Sequence, residues 1–242
     1  MGGILAPMRH AFALTLGCLA LSACGGDGNG DTGGGSVVKR AIEPEAQQHA
    51  ESILLTLSDF PDGWRAEAAA ADDEDDQEAF SECVGADYSG VIIIGEGQSD
   101  DFATGETPVA SSDVAVFESE QMATQALAER ADGLEGDKAD ICIPELLGEP
   151  PGDTEITRAE VRELSFTPPP GVDDAAAWQF AVTIEGEVGS QDEGLSVTAY
   201  ADQVVLRNGD TIASVTTTDI ATPFDPELRD ELVAAVAARM AE

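Results

Sequence analysis

Asn208-Gly209 stands between two strand-like runs, Val204 to Leu206 and Thr211 to Val215, and no other feature limits the fold as much. An Asn-Gly dipeptide between such runs favours a two-residue type I′ turn, whose twist matches that of the strands it joins. A hairpin is therefore expected here, with Arg207 opposite Asp210 as an exposed cross-strand ion pair. Upstream, Trp178, Phe180, Val182 and Ile184 alternate with Gln179, Ala181, Thr183 and Glu185, the pattern of a strand with one buried face. Leu195 to Tyr200 reads as a further strand.

Helical spacing brackets this region. Ile42, Ala46, Ala50, Ile53, Leu54 and Leu57 recur at helical intervals after Glu43 and Pro44, so an amphipathic helix is expected to open the domain. Phe60-Pro61-Asp62-Gly63-Trp64 then turns the chain, with Trp64 as an anchor on the core. Val91 to Ile94 is a candidate buried strand with Gly-rich flanks, and Ser112 to Phe117 a strand alternating around Val114 and Val116. Ser119 caps a following helix with Glu120 at its positive end, and Met122, Ala126, Leu127 and Ala131 form a stripe ending near Gly133. Asp225, Pro226 and Glu227 make a second such start. Leu228, Leu232, Val233, Val236 and Met240 complete the last helix. Runs of strands between helices indicate an α+β domain, an antiparallel sheet with helices packed on it. Hairpin connections argue against a doubly wound parallel sheet. The chain has no Gly-x-Gly-x-x-Gly, phosphate-binding loop or Gly-x-Ser-x-Gly.

The chain holds 48 acidic and 11 basic residues, a formal net charge of −37. Such a surface excludes nucleic-acid binding and repels anionic headgroups, because both depend on Lys and Arg neutralising phosphates. The acidity reads as solubility before cation capture. Asp72 to Asp76 fits a solvated loop, since adjacent carboxylates repel unless a metal gathers them. Asp27, Asn29 and Asp31 imitate the start of a calcium loop, but Val38 stands where the Glu ligand is required. No metal or cofactor site is expected.

Met8 and Arg9 precede an apolar run, Ala11 to Ala20, that closes on Leu21-Ser22-Ala23-Cys24. This box resembles a bacterial lipoprotein signal, which implies cleavage before Cys24 and acylation of its thiol. A secretory signal that happens to contain Cys is the alternative. No run of roughly 20 apolar residues follows to cross a membrane. Met1 to Pro7 adds no basic residue, which makes Met8 an alternative start. The expected organisation is a signal over 1–23, a Gly-rich flexible tether over 24–36, and one α+β domain over 37–242. Cys18 leaves with the signal and Cys24 takes the lipid, so Cys83 and Cys142 remain as two thiols in an oxidising compartment, where a disulfide is expected. Closing a loop of about 60 residues contributes roughly 4 kcal/mol by chain entropy. A catalytic thiol lacks partners: beyond His10 in the signal, His49 is the one histidine, so Cys-His and Ser-His-Asp chemistry and His-rich metal sites are not expected.

Three stretches together carry a resemblance. Leu54 to Trp64, the Val114 to Phe117 strand leading into the Ala-rich helix and Cys142, and the Val204 to Asp210 hairpin before the Pro-Phe-Asp helix resemble actinobacterial cell-envelope lipoproteins. The nearest groups are sensor-like domains similar to the extracellular domain of the PknH kinase and the Mog1/PsbP-like lipoproteins. The resemblance implies an α+β sandwich with a cleft, a lipid-anchored location on the extracytoplasmic face, and binding of a small ligand or envelope protein without catalysis. It supplies no binding residues. A structural or assembly accessory lipoprotein is the competing expectation, followed by a carboxylate-dependent hydrolase.

Overall fold

The computed structural model describes residues 38–39, 42–69, 74–135, 137–147, 154–186 and 194–242. Cys24, the expected signal and the tether lie outside the described residues. The helices are α1 (Pro44–Ile53), α2 (Glu74–Val84), α3 (Glu120–Leu134), α4 (Asp137–Leu147) and α5 (Pro226–Met240). The strands are β1 (Val38–Lys39), β2 (Arg65–Glu67), β3 (Ile92–Gln98), β4 (Asp101–Ala103), β5 (Val109–Phe117), β6 (Thr154–Glu163), β7 (Asp174–Gly186), β8 (Ser196–Asn208) and β9 (Thr211–Ile220). They form one sheet in the order β1-β3-β5-β9-β8-β7-β6, with β4 pairing both β5 and β2. Every ladder is antiparallel except the two-residue pairing of β1 with β3. The fold is α+β, with an antiparallel sheet and helices packed on it, as the element order predicts.

Because successive side chains on a strand point to opposite faces, the sheet builds two cores. One face carries Ala115, Phe117, Trp178, Phe180, Val205 and Ile212 under residues of α2, α3 and α4. The other carries Val114, Val116, Val204, Leu206 and Val215 under α1 and α5. Both predicted helix caps are made: Ser119 Oγ accepts from the Met122 N–H, and Asp225 Oδ1 from the Glu227 N–H at 2.9 Å. Trp64 stacks on Phe60, with centroids 4.8 Å apart, and meets Phe224 at 6.1 Å, so the anchor forms as expected. Cys83 at the end of α2 is bonded to Cys142 inside α4, with Cα atoms 5.7 Å apart.

Several local expectations are corrected. The hairpin turn is Gly209-Asp210, since Asn208 pairs with Thr211. Positive φ falls on Gly209 and not on Asp210, the type II′ pattern, which needs Gly only at the first central position. Arg207 therefore faces Ile212, is buried, and meets Asp173 at 3.4 Å and Glu120 at 3.7 Å. The expected break between Tyr200 and Val204 does not occur, because β8 runs unbroken through Asp202 and Gln203. Gln179, expected on a solvent face, is buried. Glu74 to Asp76 open α2 rather than lying in a loop, where acidic residues suit the positive helix end. Helix α1 stops at Ile53, and a short 3-10 turn over Leu57–Asp59 follows.

A buried polar cluster beneath helix α3

The face covered by α3 is not uniformly apolar. Strand pairing sets Gln98, Asp113 and Ser214 side by side across β3, β5 and β9, and sets Ser111, Thr216 and Gln203 in the next row across β5, β9 and β8. Directly opposite residues share a face, so these six polar side chains make one contiguous patch. The patch grades inward: Gln98 is exposed and Ser111 half-buried, whereas Asp113, Ser214, Thr216 and Gln203 are buried.

Arg130 comes down onto this patch from α3. It is 3% exposed, on the helix face that also buries Ala123, Ala126, Leu127 and Leu134. One Nη2 donates to Gln203 Oε1, and Gln203 Nε2 donates to Thr216 Oγ1 at 3.4 Å. The guanidinium lies 6.0 Å from the Phe80 ring centroid, within cation–π range. Burial pushes its pKa down, opposed through space by Tyr88 and Asp113. Burial likewise pushes the Tyr88 hydroxyl up, keeping it a neutral donor at physiological pH. Arg130 Nε and Ser214 Oγ are both buried without a hydrogen-bond partner. A guanidinium carries five donors and a hydroxyl one, and leaving such groups unmet in a dry interior costs on the order of 1–3 kcal/mol each. The cluster thus holds two buried donors with no acceptor.

The opposite face is polar as well, and there the Thr217 hydroxyl, opposite Asp202, is buried without a hydrogen-bond partner. Asp202 accepts from Arg229 Nη1 at 2.8 Å and from Gln179 Nε2 at 2.6 Å, and Arg162 donates to Gln179 Oε1. That chain ties the edge strand β6 to α5.

Of the residues the sequence singles out, Cys83 and Cys142 clip α2 to α4 beside the cluster, and Phe80 and Val84 of α2 help to wall it. His49 stands on α1, on the opposite face from Ser214. Among the described residues no three His, Cys, Asp or Glu side chains group as a metal site. The cluster itself escaped sequence reasoning, although one sign was present: Arg130 continues the Ala123, Ala126, Leu127 stripe at helical spacing, so it was due to point inward.

No protein-family model matches this chain, and no curated protein matches it. Among solved structures, the extracellular domain of PknH from Mycobacterium tuberculosis is similar. It is 13% identical, the match covers 83% of this chain and 97% of that one, and the TM-score is 0.38. This is the domain that the sequence pattern resembles. At that TM-score no role passes from it to this chain.

Proposed function

We propose that this protein is a lipid-anchored domain on the extracytoplasmic face of the cell envelope that binds a small polar ligand without transforming it. The observation that carries the binding role is the pair of orphan donors, Arg130 Nε and Ser214 Oγ, at the inner end of a polar row whose outer end is exposed. A few convergent polar groups set among apolar side chains are the usual lining of a ligand site. Here Phe80, Tyr88 and Trp178 belong to the surrounding apolar cluster. The location rests on the Leu21-Ser22-Ala23-Cys24 box and the Gly-rich run that follows it. Among the described residues no helix is long and apolar enough to cross a membrane.

Two measurements test the proposal. Native mass spectrometry of the full chain taken from its own envelope is expected to show a retained small molecule that Ser214→Ala releases. Co-purification of a membrane complex with no small molecule would favour the accessory role instead. For the anchor, Cys24→Ser is expected to move the protein from the membrane to the soluble fraction, and unchanged membrane retention would sink that part.

A further inference from the structure

Strand β6 ends the sheet, so one of its two sides has no neighbouring strand among the described residues. Such an edge presents a row of N–H and C=O groups to any strand that can pair with it. Leu164, just past the strand, donates its N–H inward to the Ala177 carbonyl. By the alternation of an antiparallel ladder, Glu160 and Arg162 also turn their backbone groups toward β7, while Ala159, Val161 and Glu163 turn theirs to the open side. The Val161 N–H accordingly donates not to β7 but to the Asp140 carboxylate of α4, at 2.6 Å. Helix α4 lies against β6, with Ala139 and Ile143 buried in the core on which Val161 packs. Asp140 therefore stands where the carbonyl of a docking strand would sit.

Side chains limit what can pair there. Arg158, Glu160 and Arg162 alternate in charge along one face of β6, and all three are exposed. If β6 pairs antiparallel with its own copy about a twofold axis, outward-facing residues must come opposite one another. Centring on Glu160 or on Arg162 sets like charge against like. Centring on Ala159 sets Arg158 opposite Glu160, but brings Val161 against Thr157, where the strand bulges. Centring on Val161 keeps to the regular part of the strand and sets each Glu160 opposite the second copy's Arg162. Present contacts leave room for this: Glu160 bridges Arg158 in the open, and Arg162 gives Gln179 only one of its five donors. We infer that β6 is the self-pairing edge of a twofold dimer of this chain, centred on Val161, and that Asp140 holds it closed. Pairing moves the Val161 N–H from the Asp140 carboxylate to the Val161 carbonyl of the second copy and releases the carboxylate to water. Guard and dimer thus compete for the same N–H group in each chain.

Sedimentation velocity of the full chain tests this, at about 0.15 M salt, where the repulsion between two chains of formal net charge −37 is screened within about 8 Å. The parent chain is expected to sediment as a monomer. Asp140→Ala is expected to approach the mass of two chains and go no further, since a twofold contact closes on itself. Alanine is the best helix former, so α4 keeps its helix, and Asp140→Leu removes the carboxylate independently. Added to either variant, Glu160→Arg turns two opposite-charge pairs into two like-charge pairs and is expected to weaken the dimer by about tenfold. Adding Arg162→Glu as well exchanges the two charges and is expected to restore it. Monomers at every concentration in both Asp140 variants would overturn the proposal, as would a dimer indifferent to Glu160→Arg. Weakening that Arg162→Glu does not rescue would rule out the register centred on Val161. A parent chain already dimeric would contradict the guard, and assemblies growing beyond two chains would contradict the twofold contact.

Discussion

Asp202 and Gln203 are neighbours in β8 that point to opposite faces, so one dipeptide pins a helix on each side of the sheet: Asp202 holds Arg229 of α5, and Gln203 holds Arg130 of α3. Removing one partner of a buried ion pair strands the other charge, which costs about 3–5 kcal/mol, whereas replacing both by apolar groups costs far less. Arg229→Met is therefore expected to lower urea-unfolding stability by about 3 kcal/mol or more, and adding Asp202→Leu to recover part of the loss. Equal losses in the single and double variants would refute the assignment. Asp59 offers a pH test. Burial alone would raise its pKa, but Arg239 Nη2 at 2.6 Å and the Thr56 N–H at 2.7 Å hold it below the ordinary 3.8. The folded state thus binds the proton less readily than the unfolded chain. Its contribution is complete above the ordinary value and is lost as pH falls through the lower folded one. Asp59→Asn is expected to flatten the acid limb of stability against pH, and an unchanged limb would contradict this.

At the scale of elements, close approach explains a stretch whose sequence pattern is indistinct. The Gly-rich flank of Val91 to Ile94 obscures a strand, yet Gly95 and Gly97 are where α1 lies on β3. A Cβ on Gly95 would stand 2.5 Å from the Ala46 carbonyl carbon and 2.6 Å from its oxygen, both helix backbone. A Cβ on Gly97 would press on the Leu54 Cδ1 at 3.2 Å, the end of a flexible side chain, and meet the Ala50 carbonyl carbon and the Glu51 nitrogen at an ordinary 3.5 Å. Gly95→Ala must push the helix off the strand, at a cost in the overpacking range of about 1–3 kcal/mol. Gly97→Ala is expected to cost distinctly less. Equilibrium unfolding of the two variants decides the matter, and equal losses would mean that α1 does not sit on β3 as described.

For the molecule as a whole, the few arginines are partly spent inside. Arg130, Arg207 and Arg229 are buried, and the Arg239 side chain is only 25% exposed, bonded to the Leu54 carbonyl and Asp59. The outer surface is correspondingly rich in unscreened carboxylate. Mutual repulsion across such a surface weakens when salt screens it, so sodium chloride and calcium chloride at equal ionic strength are expected to raise the melting temperature by similar amounts. A specific calcium site would instead stabilise the fold as the logarithm of calcium over its dissociation constant. A shift of several degrees from micromolar calcium, absent with matched sodium, would overturn the solvation account and direct mutagenesis to Asp27 to Asp31 and Asp72 to Asp76.

By itself the sequence determined what local rules reach: the caps at Ser119 and Asp225, the apolar stripe of α5, the alternation through Trp178 and Phe180, and hence an antiparallel α+β domain. Those features depend on residues within a turn or two of each other. The tertiary structure alone decided the inward fate of Gln179, Asp202 and Gln203 and the exact turn at Gly209-Asp210. A polar side chain is stable inside only if another element brings its partner, and those partners are distant in the chain: Arg130 reaches Gln203 across 73 residues, and Arg239 reaches Asp59 across 180. No local pattern encodes such a meeting, and for that reason the candidate site became visible only when the sheet and α3 were brought together.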